Sequence, residues 1–197
     1  MNLLREINLI VIVSLLCSAC SAKKSAAPMS PSDMEAAWRV ASEPGESHTY
    51  LEPLYGKWNT ETRFWKKQGG EPDISHGMVN TQWIFGNRFL KENYMGDLDG
   101  FSFNGLGITG YDNLKKQFTS FWIDSMNTGC SLWYGDYDPG TKTFHYTGSE
   151  IDPFTKVEHS TRSTLTVLDK DTHRFELFRE EDGGFVKTME VTYKRAS

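Results

Sequence analysis

Cysteine is scarce: there are three in 197 residues, and two of them, Cys17 and Cys20, stand in an apolar N-terminal stretch. That leaves Cys130 alone in the remainder, which excludes an intrachain disulfide there. Within Gly129-Cys-Ser-Leu-Trp-Tyr134 it reads as a small core hydrophobe. A basic excess is lacking as well. With 21 Lys and Arg against 26 Asp and Glu, the formal net charge is −5, and no basic stripe is available to neutralise phosphates, so nucleic acid is excluded as a partner. His48, His76, His145, His159 and His173 show no HxH, HExxH or Cys-His spacing, which argues against a bound metal. No Gly-x-Ser-x-Gly stretch is present to mark a nucleophile. The one long apolar run, Leu9-Ile-Val-Ile-Val-Ser-Leu-Leu16, is too short to span a bilayer comfortably.

What the chain does have is aromatic residues, 13% of the total, in alternating runs separated by Gly, Asn, Asp and Pro. From Leu54 onward turn signals recur at a spacing that predicts about ten strands. These fall at 55–65, 76–85, 88–96, 101–110, 116–124, 129–137, 142–150, 157–168, 173–180 and 185–195. No gap between them is long enough for a helix, so the expectation is an all-β, up-and-down antiparallel sheet. Closing such a sheet into a barrel removes its exposed edges.

Alternation assigns the inner wall. The central hairpin turns at Asp112-Asn113 and returns with Phe118, Ser120 and Trp122 on one face. Aromatics on both faces of that return strand mark it as flanked on both sides. In the first strand Trp58, Thr60, Thr62 and Phe64 point inward, and in the last Met189, Val191, Tyr193 and Arg195 do, opposite Thr188, Glu190, Thr192 and Lys194 on the wet face. Trp58 and Arg195 are therefore expected to meet where the first and last strands close the barrel. In 88–94, Arg88, Leu90, Glu92 and Tyr94 share a face, so Arg88 and Glu92 enter the interior together, paired with each other or anchoring a ligand headgroup. The expected ligand-binding set is Trp83, Arg88, Glu92, Tyr94, Phe118, Trp122 and Tyr146, an aromatic wall with a few polar groups. His145 faces outward and His159 inward.

The N-terminal region reads as an export signal over 1–19, a polar tether over 20–31 and a helical segment over 32–53, ahead of the barrel domain, 54–197. Leu16-Cys-Ser-Ala-Cys-Ser21 resembles a bacterial lipobox, with Cys17 where that pattern prefers Leu. The resemblance implies that Cys20 is acylated (a palmitate-type anchor) and becomes the mature N-terminus. With Ser21 after it, sorting would be to the outer membrane, facing the periplasm. Ser32-Asp-Met-Glu35 has capping-box spacing for a short helix through Trp38, which would dock it, stopped by Pro44-Gly45, with a further helical turn around Ser47–Leu51.

Gly56-Lys-Trp58 with Arg195 resembles the Gly-x-Trp and C-terminal Arg pairing of the calycin superfamily, the lipocalin-like barrels. A fuller set runs in order through His48, Leu51, Leu54-Tyr-Gly-Lys-Trp58, Gly86-Asn-Arg-Phe-Leu90 and Gly105-Leu-Gly-Ile-Thr-Gly-Tyr-Asp-Asn113. It continues with Phe121-Trp-Ile-Asp-Ser125, Thr128-Gly129 and Met189-Glu-Val-Thr-Tyr-Lys-Arg195. This set resembles the bacterial family catalogued as domain of unknown function 1579. The resemblance implies a calycin-like barrel and no established activity, so it transfers no catalytic residue. Some calycin barrels hold haem through a histidine, for which His159 is the candidate here; no cofactor is the expectation. The functional reading is a lipoprotein that binds a small, largely apolar molecule. Its alternatives are an enzyme acting at the rim through Asp112, Asp124 or Glu150, and a ligand-free structural or stress lipoprotein with a filled core.

Overall fold

The structure, a computed structural model, describes residues 29–98 and 100–197. The export signal, Cys20 and most of the tether lie outside the described residues. Helix α1, Pro31–Ser42, is followed by the short helix α2, Glu46–Thr49, and a 3-10 turn, Glu52–Leu54. Ten strands follow: β1 Gly56–Phe64, β2 Asp73–Ile84, β3 Phe89–Leu98, β4 Phe101–Asp112, β5 Gln117–Asp124, β6 Ser131–Asp138, β7 Thr143–Ile151, β8 Glu158–Asp169, β9 Thr172–Glu181 and β10 Gly184–Arg195. Each pairs antiparallel with its sequence neighbours, and β1 pairs with β10, closing the barrel. The expected all-β, up-and-down architecture is therefore the observed one.

The closing seam has the expected contact. Trp58 lies opposite Arg195 in the β1–β10 register, and the Arg195 guanidinium sits 4.1 Å from the centre of the indole. The remaining donors of Arg195 reach the Lys170 carbonyl at 2.9 Å and the Tyr55 carbonyl at 3.2 Å, with Asp171 at 3.2 Å. Trp58 Nε1 donates to the Leu54 carbonyl at 3.0 Å. One side chain thus joins the last strand, the β8–β9 turn and the entry to β1. Gly56 has φ +128°, and a Cβ there would stand 2.6 Å from Arg195 Nη1, so both backbone and space demand glycine.

Alternating strand direction puts the α2 and 3-10 segment at one end, together with the β2–β3, β4–β5, β6–β7 and β8–β9 turns. This end is filled. Leu51 and Phe144 are fully buried there among Leu54, Leu90 and Phe118, with Tyr50, Tyr111 and Tyr137 packed around them. Tyr137 and Phe144 stand 4.5 Å apart, and Phe118 meets Phe144 edge-on at 5.0 Å. His48 completes the plug, its Nδ1 accepting the Gly45 N–H at 3.1 Å and its ring edge-on to Tyr111.

Four local expectations are corrected. Helix α1 starts one residue before the expected Ser32 cap: Ser30 is the N-cap, accepting the Asp33 N–H at 3.2 Å, because Pro31 supplies the helical φ of the first position. Trp38 does not dock the helix; it is 73% exposed and α1 buries no residue. The attachment is polar instead, with Asn113 Nδ2 donating to the carbonyls of Val40 at 3.0 Å and Glu43 at 2.8 Å. Cys130 is exposed, since β6 begins one residue later and leaves it in the loop after β5. Thr188 is buried rather than on the wet face, because the β9–β10 register shifts between Lys187 and Met189 and a bulge resets the parity.

Candidate functional site

The other half of the barrel is hollow. A cavity of about 550 Å³ runs from Tyr146, Trp133 and Leu54 above the plug to Phe64, Ser75, Asp97 and Met126 at the opposite end. Its wall is made by the inward positions of the strands, so period-two alternation builds it directly. The trace of β4 makes room for its largest ring: Trp122 of β5 lies against Gly105, where a Cβ would collide with the indole. Trp122 Nε1 donates to Asp124 at 3.0 Å, which fixes the ring's rotation. Tyr94 stands edge-on to Phe103 at 5.5 Å and to Trp122 at 6.4 Å. Its hydroxyl lies 3.4 Å from Thr60 and 3.4 Å from Thr62.

Among the described residues Glu92 is the one carboxylate deep in this cavity. Tyr193 of β10 donates to its Oε1 at 3.5 Å, a long bond, and no other protein donor meets it among the described residues. Burial pushes its carboxyl up to about 7, with the Tyr193 hydroxyl pulling weakly the other way. Its strand neighbours bring no charge: Thr81 of β2 and Gly107 of β4 flank it in register. Across the cavity Tyr193 is stacked on His173 of β9, ring centres 4.2 Å apart, and His173 is edge-on to Trp58 at 4.3 Å. Burial, and to a lesser degree Arg195, hold the His173 imidazole down to about 3, so it is neutral, and its Nδ1 has no hydrogen-bond partner among the described residues. Burial also lifts the phenols of Tyr146 and Tyr193 well above the ordinary range, the latter further through Glu92.

The structure brings together four of the seven expected ligand-binding residues: Glu92, Tyr94, Trp122 and Tyr146 all line the cavity. Phe118 and Trp83 do point inward, but they lie at the filled end and belong to its packing. Arg88 is not inside the barrel and does not pair with Glu92. It belongs to the turn before β3, where Phe85, Gly86 and Asn87 have positive φ, and its Nη1 donates to the Phe85 carbonyl at 2.9 Å. The parity of β3 cannot be carried back through such a turn. His173, Tyr193 and Phe103 were not among the expected site residues. The alternation His173, Phe175, Leu177 is a legible sign that His173 faces in.

The alternative carboxylates do not converge. Asp112 ends β4 beside the plug, where its Oδ1 accepts the N–H groups of Leu114 and Lys115 at 2.9 Å each. Asp124 ends β5 at the open end and accepts the Met126 N–H at 2.9 Å. Glu150, on β7, lies 3.8 Å from Arg179, which is also 3.7 Å from Asp152. His159 is near the open end of β8, its Nδ1 3.2 Å from the Glu180 carbonyl oxygen, and does not line the cavity. Among the described residues no cluster of His, Cys, Asp and Glu is arranged to hold a metal ion.

Fold and site define a closed ten-stranded antiparallel barrel with one packed end and one hollow end. The chain belongs to the family described as protein of unknown function DUF1579, whose sequence profile matches residues 43–195. No curated protein sequence matches it. Among solved structures it is similar to Rv2717c from M. tuberculosis, at 15% identity over 79% of this chain and 100% of that one, with a TM-score of 0.58. It also matches a redesigned β-barrel, at 14% identity over 75% of this chain and 96% of that one, with a TM-score of 0.40. The first likeness is one of fold.

Proposed function

We propose that this protein binds a small, largely apolar molecule in the hollow half of its barrel. The observation that carries the reading is the cavity itself. Its volume, about 550 Å³, falls in the range of small-molecule sites, and its wall combines rigid rings with few polar groups. A domain with no ligand to accommodate would gain stability by closing this space, because unfilled volume forfeits packing. Here Trp122, Tyr94 and Phe103 hold it open from a wall whose glycine at 105 leaves room for the largest ring. The test is titration with an apolar fluorophore, compared between wild type and Ser163→Phe, a substitution that places a ring in the cavity from β8. Wild type should bind with a change in tryptophan emission, and the variant should lose most of that binding. Equal binding by the two proteins would overturn the assignment to this cavity.

The same reading makes the protein a lipoprotein held by Cys20 on the periplasmic face of a bacterial outer membrane, supported by Ser18-Ala-Cys20 after the apolar run and by a polar stretch ahead of α1. Cys20→Ser should release it from the membrane fraction. Undiminished membrane retention of that variant would remove the anchor from the proposal.

A further inference from the structure

Charge in the cavity has one sign. Glu92, Asp97 and Asp124 line it, and among the described residues no Lys or Arg does. His173 is buried and uncharged, and Arg88, the cation expected inside, is bonded into a turn at the filled end. The three carboxylates are not equivalent. Asp97 accepts the Gly100 N–H at 2.8 Å, and Asp124 accepts from Trp122, Met126 and Asn127, so both are occupied at the rim. Glu92, deep in the wall, receives only the long bond from Tyr193 among the described residues. A carboxylate taken out of bulk water without a counter-ion or a full set of donors is costly, and the cost is relieved by a cation that enters with the ligand. The same cavity is lined by Tyr94, Phe103, Trp122 and Tyr193, whose ring faces favour positive charge.

From this juxtaposition we infer that the occupant of the cavity is a cationic amphiphile: an apolar or aromatic body carrying a single protonated amine, with the ammonium on the Glu92 carboxylate and the body against Trp122, Tyr94 and Phe103. The inference rests on the binding reading above and narrows it. It excludes fatty acids and other anions, whose headgroup would meet three carboxylates and no cation. The groups facing Glu92 are Tyr193 from β10, with His173 stacked behind it on β9, and Tyr94 on its own strand; none supplies a positive charge that would compete.

The test is calorimetric titration of the full chain with three probes of one shape: naphthylmethylamine, naphthylmethanol and naphthoate, at about pH 8, where Glu92 is ionised. The amine is expected to bind at least ~10-fold more tightly than the alcohol, and the alcohol more tightly than the carboxylate. In Glu92→Gln the preference for the amine should vanish while the alcohol binds as before, with thermal melting confirming the fold. Tyr193→Phe, which keeps the carboxylate and removes its one donor, should retain the preference. The inference is overturned if the carboxylate binds as well as the amine, or if the amine preference survives in Glu92→Gln. Binding led by the neutral alcohol overturns it too, yet leaves the apolar-ligand reading standing. If none of the three binds, both readings fail.

Discussion

The two ends of the barrel are built from the same ten strands with the same alternation, yet one is solid and the other hollow. At the filled end, the closest rings meet at 4.4 to 5.0 Å, from Tyr50 on Tyr137 to Phe118 on Phe144, and the segment before β1 contributes Leu51 as a stopper. At the hollow end the rings line the wall, and the space between them is open. Barrel closure and cavity formation are therefore separate achievements. Pairing of strands encloses the space, and an added plug decides how much of it is filled.

The sharpest way to break this comparison is to truncate one ring at each end. Phe144→Ala deletes a fully buried side chain from a close-packed cluster and should cost about 3–5 kcal/mol in urea unfolding. Trp122→Ala enlarges a space that already exists and should cost about half as much or less, although it removes more atoms. Equal losses would mean that the hollow end is as tightly packed as the other.

A second test uses pH. Glu92 is protonated more readily in the folded protein, near 7, than in the unfolded chain, near 4.5. The folded state therefore holds the extra proton between those values, and stability falls as pH rises through them. Glu92→Gln should thus be the more stable protein above neutrality, by at most about 3 kcal/mol, with the advantage gone below about pH 4.5. His173 works in the opposite sense. Its folded value near 3 lies below the ordinary 6.5, so stability is lost as pH falls through that window. Guanidinium melts across the pH range, with His173→Phe beside wild type, should show the acid limb flattened in the variant.

The smallest effect expected is at the seam. Arg195→Ala removes a stacked guanidinium and three carbonyl contacts, but the site is partly open to solvent, so the loss should be about 1–3 kcal/mol by urea unfolding. No change in midpoint would show that strand pairing alone holds β1 to β10.

The barrel was legible because turn chemistry and period-two alternation are both local. Asp138-Pro-Gly140 and Asp169-Lys-Asp171 punctuate strands wherever those strands later sit. Trp58 and Arg195 were legible through parity combined with closure. Alternation, though, reports which way a side chain points and not its height along the barrel axis. For that reason Phe118 and Trp83, expected on the inner wall, do point inward but lie at the filled end, at a height that alternation does not report. Arg88 was misplaced for a different reason: the positive-φ residues before it break the alternation, and only the three-dimensional turn shows where β3 begins. The polar site followed suit, since Glu92 was found by parity while its partner Tyr193 lies 101 residues away.

The seam also governs how the chain reaches this form. Arg195 bonds to the Tyr55 carbonyl across 140 residues, and β1 acquires its second neighbour only when β10 arrives. Eight of the ten neighbouring pairs can zip as local hairpins before that, but they end in two unpaired edges, on β1 and on whichever strand was last added. If the hairpins form in sequence, joining those two edges is the step that closes the ring, and it brings together the most distant parts of the chain. A chain lacking its last dozen residues would keep every turn and most of its core yet present an open edge on β1 and another on β9. Such a fragment would associate through those edges rather than persist as a slightly shorter barrel.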